Sequence, residues 1–176
     1  GEIEAALEVL EKSGTNRKQI TVLHCNTEYP TPMEDVNLKA MLSIRDALGV
    51  EVGYSDRTLG IEVPIAAVAL GASVIEKHFT LSREDGGVDA AFSMEPFEMK
   101  QLVLECERAW QSLGGIYYGP TQSEESSMQF RRSLYVAQHI KAGDILTNEN
   151  VRSIRPGLGL PPKYLDVLLG CRVTRD

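Results

Sequence analysis

An α/β fold built on a parallel sheet, followed by a small β-rich module, is predicted by three features of this 176-residue chain. Short β-branched or apolar runs alternate with helix-period segments. Each run ends in clustered polar side chains, at His24-Cys25-Asn26-Thr27-Glu28-Tyr29, Tyr54-Ser55-Asp56-Arg57 and Glu76-Lys77-His78-Phe79. The composition then changes at Gly114-Gly115-Ile116-Tyr117-Tyr118-Gly119-Pro120. Strand–helix alternation implies right-handed crossovers and parallel strands. Polar groups delivered to one sheet edge by successive strand ends are how such folds build an active site.

Taken in order, Ile3, Ala6, Leu7 and Leu10 form one apolar stripe, with Glu2 and Glu4 in the first turn and Gly14 as a stop, so a helix comes first. Ile20-Thr21-Val22-Leu23 predicts a strand over Gln19–Cys25, and Tyr29-Pro30-Thr31-Pro32 a turn. Leu38, Met41, Leu42, Arg45 and Leu48 continue a helix stripe up to Gly49. A strand over Val50–Tyr54, an alanine-rich helix from about Ile61 to Leu70 and a strand over Ser73–Phe79 follow. After the loop Leu81–Phe92, the stripe Met99, Leu102, Val103, Cys106, Trp110 and Leu113 predicts a long helix ended by Gly114.

Three strands leave both sheet edges open, and an eight-strand barrel needs roughly 250 residues. The first part is therefore either a small open sheet or the last three-eighths of a larger barrel. A start on a helix with no strand before it favours the barrel. The polar run Thr121–Ser127 reads as a linker. Beyond it, strands at Ser133–Ala137 and Asp144–Leu146, the loop Arg155-Pro156-Gly157-Leu158-Gly159-Leu160-Pro161-Pro162 and a brief helix at Lys163–Leu169 make the small module, which reads as ending before it is complete. The expected division is 1–114, linker 115–127 and module 128–176.

Composition narrows the function. The 43% hydrophobic and 24% charged content is ordinary for a globular chain. A net charge of -7 argues against a nucleic-acid partner, which needs a basic face. The longest uncharged apolar stretch, Val63 to Ile75, falls short of the ~20 residues of a membrane span. No basic-then-apolar leader opens the chain, and Cys25, Cys106 and Cys171 are odd in number without a CxxC, which suits reduced thiols and a cytoplasmic location.

Several strand-end residues carry chemistry, each with a plainer reading beside it. Glu76 and His78 share one strand face and Lys77 points to the other. An imidazole beside a carboxylate can hold a divalent metal or shuttle a proton, whereas a lone histidine such as His24 is equally a hydrogen-bonded core residue. Ser55 and Thr27 can donate to a phosphate or satisfy turn backbone, and Asp56 can cap the next helix. The glycine pair in Arg83-Glu84-Asp85-Gly86-Gly87-Val88-Asp89 allows a loop that folds over a pocket, with Asp89 facing a sugar hydroxyl. Arg155, ahead of Pro156-Gly157, is rigidly presented.

Taken together, His24 to Pro32, Glu34-Asp35-Val36-Asn37-Leu38, Gly53-Tyr54-Ser55-Asp56, Ala67 to Ala72 and Ile75-Glu76-Lys77-His78-Phe79-Thr80 resemble the sialic acid (nonulosonic acid) synthases. Phe130-Arg131-Arg132-Ser133-Leu134-Tyr135 and Arg152-Ser153-Ile154-Arg155-Pro156-Gly157 resemble that family's antifreeze-like (SAF) module. Gly86 to Ser93 and Gly159 to Tyr164 lean to the pseudaminic branch, and His24–Pro32 to the neuraminic and legionaminic branches.

The resemblance implies strands six to eight of a (β/α)8 TIM barrel followed by a β-clip SAF domain, in a cytoplasmic homodimer whose module reaches over the partner's barrel. The isolated chain is then expected to be inactive. The implied reaction condenses phosphoenolpyruvate with an N-acetylated hexosamine or a 6-deoxy diacetamido relative, giving a nine-carbon sugar acid and phosphate. By position, His78 is a ligand of Mn2+ or Mg2+, Thr27 and Ser55 contact phosphate, Tyr29 and Asp89 line the substrate site, and Arg155 holds the sugar's acyl group. His78, Ser55 and Tyr29 are expected to converge on one cavity. Where the family has a second metal-binding histidine, this chain has Arg57, which carries a fixed positive charge and cannot act as a ligand. Either the metal is then held more weakly by other ligands or waters, or metal-dependent activity is lost, or Arg57 pairs with phosphate. Two alternatives stand beside the synthase: a non-catalytic sugar-phosphate-binding protein, and an aldolase using Lys77 as a Schiff-base amine.

Overall fold

Helix α1 (Glu2–Lys12) precedes strand β1 (Thr21–Cys25) in the computed structural model, which describes residues 1–176. The chain then alternates α2 (Leu38–Leu48), β2 (Glu51–Asp56), α3 (Glu62–Ala69), β3 (Ile75–Lys77) and α4 (Pro96–Leu113). The three strands form one parallel sheet in the order β1-β2-β3. Two compact units divide the molecule, Gly1–Gly115 and Ile116–Asp176.

Register decides which side chains face the helices. Opposite residues of a parallel pair lie on the same sheet face, and the face alternates along each strand. His24, Tyr54 and Ile75 are in register, as are Asp56 and Lys77, and all lie on one face. Cys25, Ser55 and Glu76 are in register on the other. The first face packs on helices: Tyr54 and Val52 join Met41, Leu7, Val63 and Ala67 in the main core. Gly53 belongs to the second face, where a Cβ would sit 2.4 Å from both Leu23 Cδ2 and the Val74 carbonyl. Only glycine allows that approach.

Strand β3 is shorter than its sequence suggests. Ser73 and Val74 already pair with β2, through Ser73 N–H to the Val52 carbonyl at 2.8 Å and Tyr54 N–H to the Val74 carbonyl at 2.9 Å. Past Lys77 the chain turns to a new partner: Met94 N–H donates to the His78 carbonyl at 2.8 Å and Thr80 N–H to the Met94 carbonyl at 2.9 Å. The expectation that both sheet edges are open is therefore corrected beside β3, where Met94 lies parallel to Phe79.

In the second unit β4 (Ser133–Val136) pairs antiparallel with β5 (Val151–Ile154). The polar run forms most of a 3-10 helix, Gln122–Phe130, started by Thr121, whose amide and hydroxyl donate to the Glu124 carboxylate at 2.8 and 2.7 Å. Asp144–Leu146 is not a strand. It makes one bridge, Ile145 to Arg172, flanked by Leu146 N–H to the Cys171 carbonyl at 2.9 Å. Strand β5 escaped the sequence reading because Arg152 and Ser153 interrupt its apolar pattern. No helix in the molecule is long and apolar enough to cross a membrane.

One core polar group lacks a partner. Tyr54 is fully buried, and its hydroxyl makes no hydrogen bond. Burial, then the negative charges of Asp56 and Cys25, push its phenol up to about 12. An exposed tyrosine loses its proton near pH 10, so the stability Tyr54 contributes is complete below about pH 10 and is lost as pH climbs through about 12. In chemical denaturation at pH 7, Tyr54→Phe is expected to match the wild type or exceed it by up to about 1 kcal/mol, because an orphaned donor is removed. It should also lose less stability than the wild type on going from about pH 10 to 12. Met41→Ala, which empties the centre of the same core, should cost about 2–5 kcal/mol. A Tyr54→Phe loss comparable to that of Met41→Ala would mean the hydroxyl has a partner.

Candidate functional site

The loops leaving the carboxyl ends of β1, β2 and β3 meet around Tyr29. The His78 ring lies edge-on to it with centroids 5.1 Å apart, and Phe92 lies 5.0 Å away, itself 5.3 Å from His78. Above the Tyr29 ring sits the Arg57 guanidinium, its central carbon 4.2 Å from the ring centroid. Asp89 closes the group, a carboxylate oxygen 3.6 Å from His78 Nδ1. That separation is ion-pair distance rather than a hydrogen bond.

Each loop is braced by backbone. In the first, buried Thr31 donates its N–H to the Arg57 carbonyl at 2.9 Å and its hydroxyl to the Glu28 carbonyl at 2.9 Å, joining the first loop to the second. Asn26 Nδ2 donates to the Asp35 carbonyl at 2.8 Å, and His24 Nε2 lies 3.0 Å from the Val36 carbonyl. His24 thus supports the loop from the helix side of the sheet, stacked near Tyr54, rather than serving the rim.

The second loop rests on a buried ion pair. Lys77 Nζ donates to Asp56 Oδ2 at 2.5 Å and to the Thr58 carbonyl at 2.6 Å, with the two charged side chains only 3% and 0% exposed. Asp56 Oδ1 also accepts from the Thr58 amide and hydroxyl, both at 2.8 Å. One expectation is corrected here, and one alternative loses its support. Asp56 does not cap α3, whose N-cap is Ile61. Lys77 is committed to this pair on the helix face, so its amine is not a free nucleophile and the aldolase reading loses its residue.

The third loop is fastened to the start of α4. The Arg83 guanidinium donates to both Glu98 oxygens, at 2.6 and 3.0 Å, and its amide to Glu95 Oε1 at 2.8 Å. Glu98 in turn accepts from the Glu95 amide at 2.8 Å, completing a capping box ahead of Pro96. Gly86 and Gly87, at φ 76° and 125°, turn the chain back, and Ser93 Oγ donates to the Asp89 carbonyl at 2.7 Å. This fixes Asp89 and Phe92 against His78.

Of the residues expected to form the site, Tyr29, His78 and Asp89 come together. Ser55 lies on the same sheet face as Glu76 and is buried, its hydroxyl donating to Glu76 Oε1 at 2.7 Å. The donor of this hydroxyl is therefore engaged by a carboxylate. Thr27 is exposed in the bend before Tyr29. Arg155 lies in the second unit and is exposed, in a loop held by Tyr135 OH to the Pro156 carbonyl at 2.9 Å and Gly157 N–H to the Gln129 carbonyl at 2.8 Å. Phe92 and Thr31 were not singled out from the sequence. An aromatic three residues beyond Asp89 was the available signal for Phe92; Thr31 works through its amide and left none. A cavity of ≈ 380 Å³ lies beyond Phe92, lined also by Lys77, Arg83, Ser93 and Glu98. Tyr29, His78 and Ser55 do not line it.

The donor set does not suit a divalent ion. No three His, Cys, Asp or Glu side chains of the chain cluster closely enough to enclose one. His78 has one carboxylate beside it, and the Tyr29 ring next to it carries a fixed guanidinium.

Hydrogen bonds from Arg83, then from the Glu95 amide, hold the Glu98 carboxyl below the usual carboxylate range. A depressed carboxylate stabilises above its unfolded value and loses that contribution as pH falls through the folded one. The clamp on the third loop should therefore stay closed at neutral pH and open only when the pH falls below the usual carboxylate range. Arg83→Ala at pH 7 is expected to lower hydrogen-exchange protection of the Ala90 and Ser93 amides by about tenfold or more. Arg83→Lys should restore part of it, and unchanged protection in Arg83→Ala would show that the clamp does not hold the loop.

The chain matches the NeuB family over residues 1–118 and the SAF domain over residues 131–176. It is 44% identical over 177 residues to the N,N'-diacetyllegionaminic acid synthase of Campylobacter jejuni subsp. jejuni serotype O:2, covering 100% of this chain and 53% of that protein. It is 42% identical to the pseudaminic acid synthase of Campylobacter jejuni serotype O:23/36, covering 88% of this chain and 45% of that protein. Among solved structures, the N-acetylneuraminic acid (sialic acid) synthetase of Leptospira borgpetersenii serovar Hardjo-bovis in complex with citrate superposes with a TM-score of 0.63 at 38% identity, over 74% of this chain and 45% of that one. The chain spans about half the length of the curated relatives it matches. Sequence and fold agree: the chain belongs to the NeuB family, with a SAF domain following.

Proposed function

We propose that this chain is part of an enzyme that condenses phosphoenolpyruvate with an N-acetylated hexosamine, or a 6-deoxy diacetamido derivative, to give a sialic-acid-like nine-carbon acid and phosphate. The observation that carries the proposal is the cluster of Tyr29, His78, Asp89 and Arg57 at the carboxyl rim of parallel strands, in a chain of the NeuB family whose relatives are named as synthases of such acids. Strands β1 to β3 are proposed as the sixth to eighth of a (β/α)8 barrel spanning 1–114, joined through 115–127 to a SAF module at 128–176. A homodimer in the cytoplasm, with the module serving the partner's pocket through Arg155, completes the proposal.

In this reading the enol carbon of phosphoenolpyruvate attacks the sugar aldehyde, forming the new C–C bond. His78, oriented by Asp89, supplies a proton to the aldehyde oxygen as its charge develops. Water adds to the cationic carbon left behind, its surplus proton is released, and phosphate departs by C–O cleavage. Tyr29 and Asp89 line the acceptor site, and Thr27 and Ser55 contact the phosphate. Ser55 does so by exchanging its bond to Glu76. Because the donor set does not suit Mn2+ or Mg2+, no step is routed through an ion.

With phosphoenolpyruvate and a panel of N-acetylated hexosamines, the intact protein should release phosphate and form a nine-carbon acid in equal amounts, with the bridging oxygen leaving in phosphate. His78→Ala should lower kcat by about 10²- to 10⁴-fold, the range for loss of a proton-transfer group. Binding of both substrates without phosphate release would overturn the synthase reading in favour of a sugar-phosphate-binding protein.

A further inference from the structure

We infer that Arg57, seated on the Tyr29 ring, is an anion-binding residue that holds a phosphate or carboxylate group of the substrate without the help of a divalent ion. Charge pairing in the first unit singles it out. Its other arginines are all engaged by carboxylates: Arg17 by Glu11 at 2.7 Å, Arg45 by Asp46 at 2.9 Å, Arg83 by Glu98 at 2.6 Å and Arg108 by Glu105 at 2.7 Å. Acidic residues outnumber basic ones 25 to 18, so carboxylates are plentiful. Arg57 alone among these arginines has none within 4.0 Å, although it is half-buried and lies at the rim.

Its direction is fixed from behind. Asp56 and Thr58, on either side in sequence, are buried and bonded to each other and to Lys77. The Arg57 carbonyl is held by the Thr31 amide at 2.9 Å. The side chain therefore leaves toward Tyr29, with its central carbon over the ring. A cation–π contact forms no hydrogen bond, so the N–H donors of the guanidinium remain to match a phosphate or carboxylate in bidentate fashion. A half-buried guanidinium resting on a ring and without an acid partner is a ready anion site. The same fixed charge disfavours a divalent cation at His78, on the neighbouring side of the Tyr29 ring. The inference rests on the synthase reading only for the identity of the anion, the phosphate or carboxylate of phosphoenolpyruvate.

Calorimetry on the intact protein in excess EDTA tests it, using phosphoenolpyruvate, inorganic phosphate and pyruvate as separate probes. The wild type should bind phosphoenolpyruvate in EDTA, and Arg57→Ala should weaken that binding by about tenfold or more. Arg57→Lys, which keeps the charge but loses the planar fork, should fall between them. Whichever of inorganic phosphate or pyruvate loses more affinity in Arg57→Ala identifies the group held. Melting temperatures of the variants guard against misfolding, and Leu59→Ala, at an exposed neighbour in the same loop, should bind like the wild type. Arg57→Ala binding within twofold of the wild type, or wild-type binding that needs Mn2+, would overturn the inference. Phosphate release measured on the same proteins separates the two ideas. Arg57-dependent anion binding without turnover would sink the synthase reading alone, and turnover indifferent to Arg57→Ala would sink this inference alone.

Discussion

Lys77 and Asp56 bury opposite charges side by side behind the sheet, and the cluster around Tyr29 hangs from that contact. Taking two charges out of water is expensive, and breaking such a pair from one side costs about 3–5 kcal/mol because the survivor is left unpaired. The pair is tolerated because further hydrogen bonds support both charges: Asp56 accepts from the Thr58 amide and hydroxyl, and Lys77 donates to the Thr58 carbonyl. The result ties the end of β2, the end of β3 and the loop toward α3 into one unit. Arg57 sits between two buried anchors, so its side chain has a single way out. A hydrophobic replacement could fill the same volume, but it would not fix the direction of the loop.

Around that anchor the rim is organised by aromatic contact rather than by a dense polar network. Tyr29 touches Arg57 from the second loop and the rings of His78 and Phe92 from the third. Aromatic pairs of this geometry contribute roughly 0.5–1.5 kcal/mol each beyond area burial, and a guanidinium over a ring about 0.5–2 kcal/mol depending on solvation. These are modest terms, so the cluster stays in place because the backbones of its loops are already braced by Thr31, Arg83 and Ser93. The polar groups left unspent are the Arg57 donors, the His78 ring and the Asp89 carboxylate.

The second unit solves the same problem with less material. Arg155 stands on a proline–glycine loop, and Gly157 lies so close to the 3-10 helix that a Cβ would come within 2.8 Å of the Met128 carbonyl. Ser133 Oγ accepts from the Gly159 amide at 3.0 Å, and the Leu134 amide donates to the Leu160 carbonyl at 2.8 Å. A short two-stranded ladder would otherwise leave such a loop loose. Backbone bonds on both sides of Arg155 give it a defined base while the guanidinium stays in solvent.

The amino-acid sequence alone determined the alternation of strands and helices, the polar strand ends and the family, because periodicity and local motifs are properties of neighbouring residues. It also placed Tyr29, His78 and Asp89 among the residues to watch, since imidazole, phenol and carboxylate after a strand are chemically conspicuous. Strand alternation set Lys77 on the face away from His78, but its pairing with Asp56, read as a helix cap, was not legible because it depends on register between two strands, with the partners twenty-one residues apart. Only the tertiary structure decided that Ser55 bonds to Glu76, that Phe92 completes the aromatic group, and that Arg57 rests on Tyr29 without an acid partner. Those outcomes turn on which side of the sheet each residue faces and on which backbone amide reaches which carbonyl across the loops. No window of sequence contains that information.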